Sequence, residues 1–190
     1  MTEAQTRPAD PTVDSDRAAV PRPAGGGAER TRTYSWPDPM ALAARIAPLS
    51  GLDVFTRVAS GELPPPPVAD TLGFGRIEAT DGSVTVYLEP REFHFNPIGS
   101  MHGGVISAVL DTAAGCSVHT TLPAGIAYTS LDLHTRFLRP VTLSSGTLRC
   151  VGRVVSRGRQ TALAEAHLYD AADKLVAHAT STCLIFPIPQ

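Results

Sequence analysis

The spacing of apolar residues changes several times along the chain, and each change marks an element. From Asp38 to Val58, the residues Met40, Leu42, Ala43, Ile46, Leu49, Leu52, Phe55 and Val58 recur at three- and four-residue steps, which predicts amphipathic helix. Pro48 to Gly51 should break it into two short helices. The run Pro64-Pro65-Pro66-Pro67 ends any helix before it and forces extended polyproline geometry, a stiff connector into the next unit. The period then drops to two. Leu72 to Ala79 and Ser83 to Leu88 read as strands joined by the turn Asp81-Gly82, with Val84, Val86 and Leu88 on one face and Ser83, Thr85 and Tyr87 on the other.

Gly104 to about Thr120 reads as one helix. Four strand-like segments come after it: Ala127 to Leu138, Gly146 to Ser156, Thr161 to Tyr169 and Leu175 to Phe186. In the first of these, Leu131, Leu133, Thr135 and Phe137 alternate with Asp132, His134, Arg136 and Leu138. An α+β fold satisfies the order strand, strand, helix, four strands: an antiparallel sheet curls around a central helix, and every strand buries one face on it. No internal repeat and no G-x-G-x-x-G dinucleotide fingerprint interrupts the pattern.

The first 35 residues differ from the rest. They are rich in Pro, Ala, Gly, Arg, Thr and Asp, carry the run Gly25-Gly26-Gly27, and hold almost no large apolar side chain. Such a segment cannot offset roughly 1–2 kcal/mol of backbone ordering entropy per residue. The expected organisation is a disordered tail over 1–35, a helical extension with its Pro-rich connector over 36–70, and one folded domain over 71–188.

Composition narrows the function. The chain has 190 residues, 43% hydrophobic and 18% charged, enough for one ordinary domain and too short for two full enzyme domains. A formal net charge of -2 with scattered basic residues argues against a nucleic-acid partner. Cys116, Cys150 and Cys183 are too few and too widely spaced for a disulfide framework or a zinc site, which fits a reducing compartment. No secretory h-region and no run of about 20 apolar residues is present, so the expectation is a soluble cytoplasmic protein without a membrane partner.

The helix from Gly104 to Thr120 carries one charge, Asp111. A helix that is apolar or small all round is a buried helix, so this one is expected at the centre of the sheet. A carboxylate there faces a high desolvation cost unless it is paired, hydrogen-bonded or used. Its neighbours at three- and four-residue steps are Gly104, Ser107, Ala108, Ala114, Gly115 and Val118, nearly all small, which lets a second helix or a narrow ligand approach. The alternative is a carboxylate that merely accepts hydrogen bonds in a polar pocket.

The loop from Asn96 to Gly104 runs into the helix N-terminus, where free N–H groups and the positive end of the dipole face outward. Gly103 and Gly104 let a carbonyl approach those N–H groups without a Cβ clash, the arrangement that stabilises a developing oxyanion in acyl transfer. The competing reading is a tight turn. For His102, hydrogen bonding that fixes the loop is preferred to base catalysis. Gly103 and Asp111 lie eight residues apart, about 12 Å along a helix, so one helix cannot bring both to one carbonyl carbon. Two antiparallel copies related by a two-fold axis would create two identical composite sites.

The string Asn96, five residues, His102-Gly103-Gly104, six residues, Asp111, three residues, Gly115 resembles the hotdog-fold thioesterases of the PaaI type. The resemblance continues through Tyr128-Thr129-Ser130-Leu131-Asp132-Leu133 and Phe137-Leu138-Arg139-Pro140. It implies an acyl-CoA substrate, with Asp111 as nucleophile or as the base that activates water. It also implies that the Gly103 N–H polarises the thioester carbonyl, that Asn96 positions thioester and water, and that Ser130 assists Asp111. The implied assembly is a homodimer or a dimer of dimers, with Asn96 and Gly103 from one subunit and Asp111 and Ser130 from the other. No metal or redox cofactor is implied. The family core does not require residues 1–70, where an apolar helix would cover an acyl pocket.

With coenzyme A as the implied carrier, Arg157 and Arg159, flanking Gly158 between two strands, become candidate phosphate contacts, because a guanidinium matches phosphate bidentately. A solvated turn is the plainer reading. Phe55, Phe74, Phe93 and Phe95 are read as core rather than as pocket walls. The functional alternative is a hotdog module that binds acyl-CoA without turning it over.

Overall fold

The computed structural model describes residues 30–188, so the tail expected over 1–35 lies almost wholly outside the described residues. The two early helices form as the periodicity predicts: α1 (Pro39–Ile46), capped by Asp38, and α2 (Gly51–Ala59), capped by Ser50. A third helix, unexpected from the sequence, begins at the last residue of the proline run. Pro66 is extended, but Pro67 starts α3 (Pro67–Leu72), because a proline at the first helical position loses no intrahelical hydrogen bond and already has helical φ. Leu72 therefore ends a helix rather than opening a strand. Gly73, at φ 70°, makes the left-handed cap that turns the chain into the sheet.

The sheet has seven antiparallel strands: β1 (Phe74–Thr80), β2 (Ser83–Leu88), β3 (Ile126–Ser130), β4 (His134–Phe137), β5 (Leu148–Arg157), β6 (Thr161–Tyr169) and β7 (Leu175–Pro187). Their order is β1-β2-β5-β6-β7-β3, and β4 pairs with β7 as well. The β1–β2 hairpin closes at Thr80 and Ser83 around Gly82, and Val84, Val86 and Leu88 are buried.

The alternation predicts one strand from Ala127 to Leu138; the structure has two, both pairing with β7. Asp132 causes the break. Its carboxylate accepts the Thr182 N–H at 2.9 Å and its carbonyl accepts the Ser181 hydroxyl at 2.8 Å, so side chain and backbone take ladder positions that a continuous strand would fill. The backbone hydrogen bond from Thr182 holds the half-buried Asp132 carboxyl below its ordinary range.

The long helix α4 (Gly103–His119) lies across the sheet. Close packing depends on Gly152 of β5, where a Cβ would stand 2.0 Å from the Ala113 carbonyl oxygen. Val109, Leu110, Ala113, Ala114 and Val118 of α4 are inaccessible to solvent. The helix is not buried all round, however. Gly104, Ser107, Ala108, Asp111 and Thr112 form a stripe that is open or half-open. Nor does α4 cover every strand: β1 packs chiefly against α2 and α3, so the extension completes the layer over that edge of the sheet.

Candidate active site

The loop before α4 is built by its own hydrogen bonds. The Asn96 carboxamide oxygen accepts the N–H groups of Ile98 at 3.1 Å and Ser100 at 3.3 Å, while its NH₂ donates to the Ser100 hydroxyl at 3.1 Å. The backbone closes the same turn, from the Asn96 N–H to the Ser100 carbonyl. Asn96 thus shapes the loop that delivers Gly103. His94, which no local sequence pattern marks, ties that loop to the extension. Its buried ring accepts the Arg91 N–H on Nδ1, which leaves Nε2 as the donor to the Leu72 carbonyl at 2.7 Å, and its own carbonyl takes the His102 N–H.

The two glycines at the helix start do different work. His102 is the N-cap, and its Nδ1 accepts the Gly104 N–H at 2.9 Å. A Cβ on Gly104 would lie 2.9 Å from that same nitrogen, so Gly104 makes room for the cap, and its N–H is consumed by it. The Val105 N–H goes to the His102 carbonyl. The Gly103 N–H bonds to nothing among the described residues and remains the free donor of the first turn. The ring of Phe137, 54% exposed, lies against Gly103, where a Cβ would come within 3.2 Å of Cζ. The alternation puts Phe137 on a strand; its contact with Gly103 is set by the fold rather than by any local pattern.

Asp111 sits on the half-open stripe, and its Oδ1 accepts the Ser130 hydroxyl at 2.8 Å. The pairing arises because β3 runs antiparallel to α4, so that Ser130 meets Asp111 and Tyr128 meets Gly115 one turn further on. Glycine is needed there, because a Cβ would lie 2.7 Å from the Tyr128 ring. The Tyr128 hydroxyl points to the Cys116 sulfur at 3.9 Å. Burial pushes the Cys116 thiol up to about 12 and the Tyr128 phenol well above its ordinary value, with negative charge on Asp111 acting in the same direction. A thiol held neutral is a poor nucleophile. Neither the thiol nor the phenol beside Asp111 ionises readily.

Within one chain, then, Asp111 and Ser130 come together, while Gly103 stands two helical turns away from Asp111 on the same helix. Arg157 and Arg159 lie elsewhere, at the exposed β5–β6 hairpin that Gly158 closes with a 2.8 Å bond to Thr161. A bulge between Val154 and Ser156 changes the parity of β5. Val154 pairs with Ala164 and Arg157 with Ala162, two buried alanines of one face, so the bulge turns Arg157 onto the face that carries α4. Arg157, Ala162, Cys183 and Ser130 share one row across the sheet, which sets Arg157 three strands, about 14 Å, from Ser130.

No cluster of three or more His, Cys, Asp or Glu among the described residues is placed to hold a metal ion. No helix among them is long and apolar enough to cross a membrane.

The family model of the thioesterase superfamily matches residues 98–177, the stretch from the end of the Asn96 loop into β7. A Halobacterium salinarum protein named as a candidate esterase is 30% identical over 118 residues, spanning 60% of this chain and 76% of its own. Among solved structures, a phenylacetic acid degradation-related protein of Ralstonia eutropha, described as a candidate thioesterase, is 38% identical, with a TM-score of 0.62 over 68% of this chain and 98% of its own. A Streptococcus mutans protein solved with acetyl CoA bound is 27% identical, with a TM-score of 0.55 over 62% of this chain and 91% of its own.

Proposed function

The chain belongs to the thioesterase superfamily and has its hotdog fold, and from that premise we propose that it hydrolyses an acyl-CoA thioester to the free acid and coenzyme A. The observation that carries the reading is Asp111, held by Ser130 on the half-open stripe of an otherwise buried helix, beside a thiol and a phenol that stay protonated. In the reaction Asp111 either attacks the thioester carbonyl carbon or takes the proton from a water that does so. Negative charge then grows on the carbonyl oxygen, and the Gly103 N–H meets it, helped by the positive end of the α4 dipole. Collapse of the tetrahedral species breaks the carbon–sulfur bond, and the coenzyme A thiolate leaves and is protonated; attack by water gives the free acid directly, whereas attack by Asp111 gives an acyl-Asp111 anhydride that a water then hydrolyses to the free acid.

About 12 Å separates Gly103 from Asp111 along α4, so one thioester carbonyl requires two helices. Asp111 and Ser130 come from one copy of the chain, Gly103 and the loop shaped by Asn96 from the other, in a homodimer that also serves as the unit of any dimer of dimers. The half-open stripe is where the second helix approaches, its small residues allowing close contact. His102 and Gly104 act through the cap, leaving the Gly103 N–H as the donor. Arg157 and Arg159, exposed and without side-chain partners among the described residues, take the coenzyme A phosphates. The acetyl CoA complex of the Streptococcus mutans relative supports a coenzyme A ester as ligand. Cytoplasmic action accords with such a substrate.

Incubation with short, medium, long and aromatic acyl-CoAs, with free thiol followed over time, tests the reading. Release with multiple turnover from at least one class is expected. Saturable binding of acyl-CoA without thiol release from any would make the protein an acyl-CoA-binding module instead.

A further inference from the structure

A cavity of about 400 Å³ lies between the N-terminal extension and the sheet, and its walls include Ile46, Phe55, Phe74, Cys116, His119 and Tyr128. Its size falls within the range of ligand sites, roughly 300–1,000 Å³. No Asp, Glu, Lys or Arg is among its lining residues, burial lowers the proton affinity of the His119 ring, and the Tyr128 hydroxyl is spent on Cys116. The interior is therefore uncharged and almost wholly apolar.

The cavity is a built feature. The Gly51 N–H donates to the Leu122 carbonyl at 3.0 Å and the Gly125 N–H to the Ala47 carbonyl at 3.1 Å, fastening the extension to the C-terminal end of α4. Contact is so close that a Cβ on Gly51 would fall 1.7 Å from the His119 carbonyl oxygen. This roof lies outside residues 98–177, the part matched by the family model. One wall leads to Asp111: Thr112, the next residue of α4, lines the cavity, with its hydroxyl satisfied by the Ala108 carbonyl at 2.8 Å. His119 marks the other end, eight residues beyond Asp111, or about 12 Å along the helix. An extended alkyl chain covers that distance in roughly nine carbons, given bonds of about 1.5 Å.

We propose that this cavity is the acyl site and that the N-terminal extension makes the enzyme selective for apolar acyl groups of about eight to ten carbons. The proposal rests on the thioesterase reading, with the acyl chain running from the carbonyl at Asp111 along α4 to His119. Each methylene buried raises kcat/KM by about three- to four-fold until the cavity is full, and short or charged acyl groups are poor substrates.

The test is the chain-length profile of kcat/KM from acetyl- to palmitoyl-CoA, for the full chain and for Ile46→Trp and Ile46→Ala. The wild-type profile should climb to octanoyl or decanoyl and then level or fall. Ile46→Trp fills the cavity from the extension and should lower the ratio of decanoyl- to butanoyl-CoA at least ten-fold. Ile46→Ala enlarges it and should move the optimum to longer chains, and this variant decides the matter if the Trp variant does not fold. A wild-type profile that is flat or falls from acetyl-CoA overturns the proposal, as does an unchanged ratio in a folded variant. If no acyl-CoA releases thiol, the thioesterase reading fails and calorimetric titration decides the cavity by itself. Decanoyl-CoA should then bind at least ten-fold tighter than acetyl-CoA, and equal affinities would refute the acyl site.

Discussion

The two ends of α4 are built differently. At the N-terminal end the helix is open: the Asn96 loop delivers it, His102 caps it, Gly103 keeps a free N–H, and Asp111 stands on a stripe that solvent reaches. At the C-terminal end it is covered, with Gly51 pressed on the His119 carbonyl and the extension roofing an apolar cavity. Both ends of α4 fall within residues 98–177, the stretch shared with the family, but the roof over the C-terminal end is contributed by residues before it. If the proposed function and acyl site hold, one helix separates chemistry from fit, and changes at one end should leave a different kinetic signature from changes at the other.

The largest effect is expected at Asp111. Asp111→Asn keeps an oxygen for the Ser130 hydroxyl and so preserves the fold, but removes the nucleophile or base; kcat should fall by about 10²–10⁴ with little change in melting temperature. Near wild-type thiol release would remove the carboxylate from the mechanism.

Gly103→Pro comes next, removing the free N–H at its source. Gly103 is the first helical position, where proline is tolerated, and His102 at ψ 135° already has the extended backbone that proline requires of its predecessor. The ring must displace the exposed Phe137 slightly, the free N–H is lost, and the ring Cδ takes the place of its hydrogen. A fall in kcat of about 10²–10³ is expected, with the chain-length preference unchanged. A shift in that preference with kcat intact would erase the distinction between the two ends.

A smaller effect belongs to the Arg157 hairpin. Replacing Arg157 and Arg159 with Ala should raise KM for acyl-CoA by about three- to ten-fold, by loss of charge-assisted hydrogen bonds, and leave KM for a pantetheine thioester unchanged. Equal effects on both substrates would leave these arginines as a solvated turn.

The smallest effect is thermodynamic and lies at the covered end. Burial disfavours the charged form of His119, lowering its pKa from 6.5. Above that value the ring is neutral in both folded and unfolded chains and contributes no pH dependence. Below it the unfolded chain takes a proton that the folded chain resists, so stability falls as the medium is acidified. His119→Gln should flatten this acid limb in melting curves taken between pH 7 and pH 5; an unaltered slope would show that the ring is not shielded.

Much of the fold is legible because its signals are local. Asp81-Gly82 between alternating strands, the three- and four-residue steps over Asp38 to Val58, and the period-two runs of β5, β6 and β7 each specify their element without distant partners. The features that escape sequence reading depend on distant partners. The split between β3 and β4 comes from Asp132 bonding to Thr182, 50 residues away. Phe55 and Phe74, read as core, do pack inward, but they also line the cavity, because the extension roofs the sheet without filling the space beneath it. The helix start shows the same limit at atomic scale. The resemblance singles out Gly103 from Gly104 without a physical reason, and the His102 cap, which takes one N–H and leaves the other, supplies it. The half-open stripe around Asp111 is invisible to composition, which registers small residues as buried whether or not anything covers them.

The claim that the site is shared between two copies has the most direct test. Gly103→Pro and Asp111→Asn proteins, each nearly inactive, are mixed in equal amounts under conditions of subunit exchange, and thiol release is compared with the unmixed proteins. In a mixed dimer one site carries both lesions, while the other pairs an intact Gly103 with an intact Asp111. With random exchange about half the dimers are mixed, so activity should rise to about a quarter of the wild-type value. If native mass spectrometry shows the mixed dimer and thiol release stays at the level of the separate variants, each site is self-contained and the shared-site account is wrong.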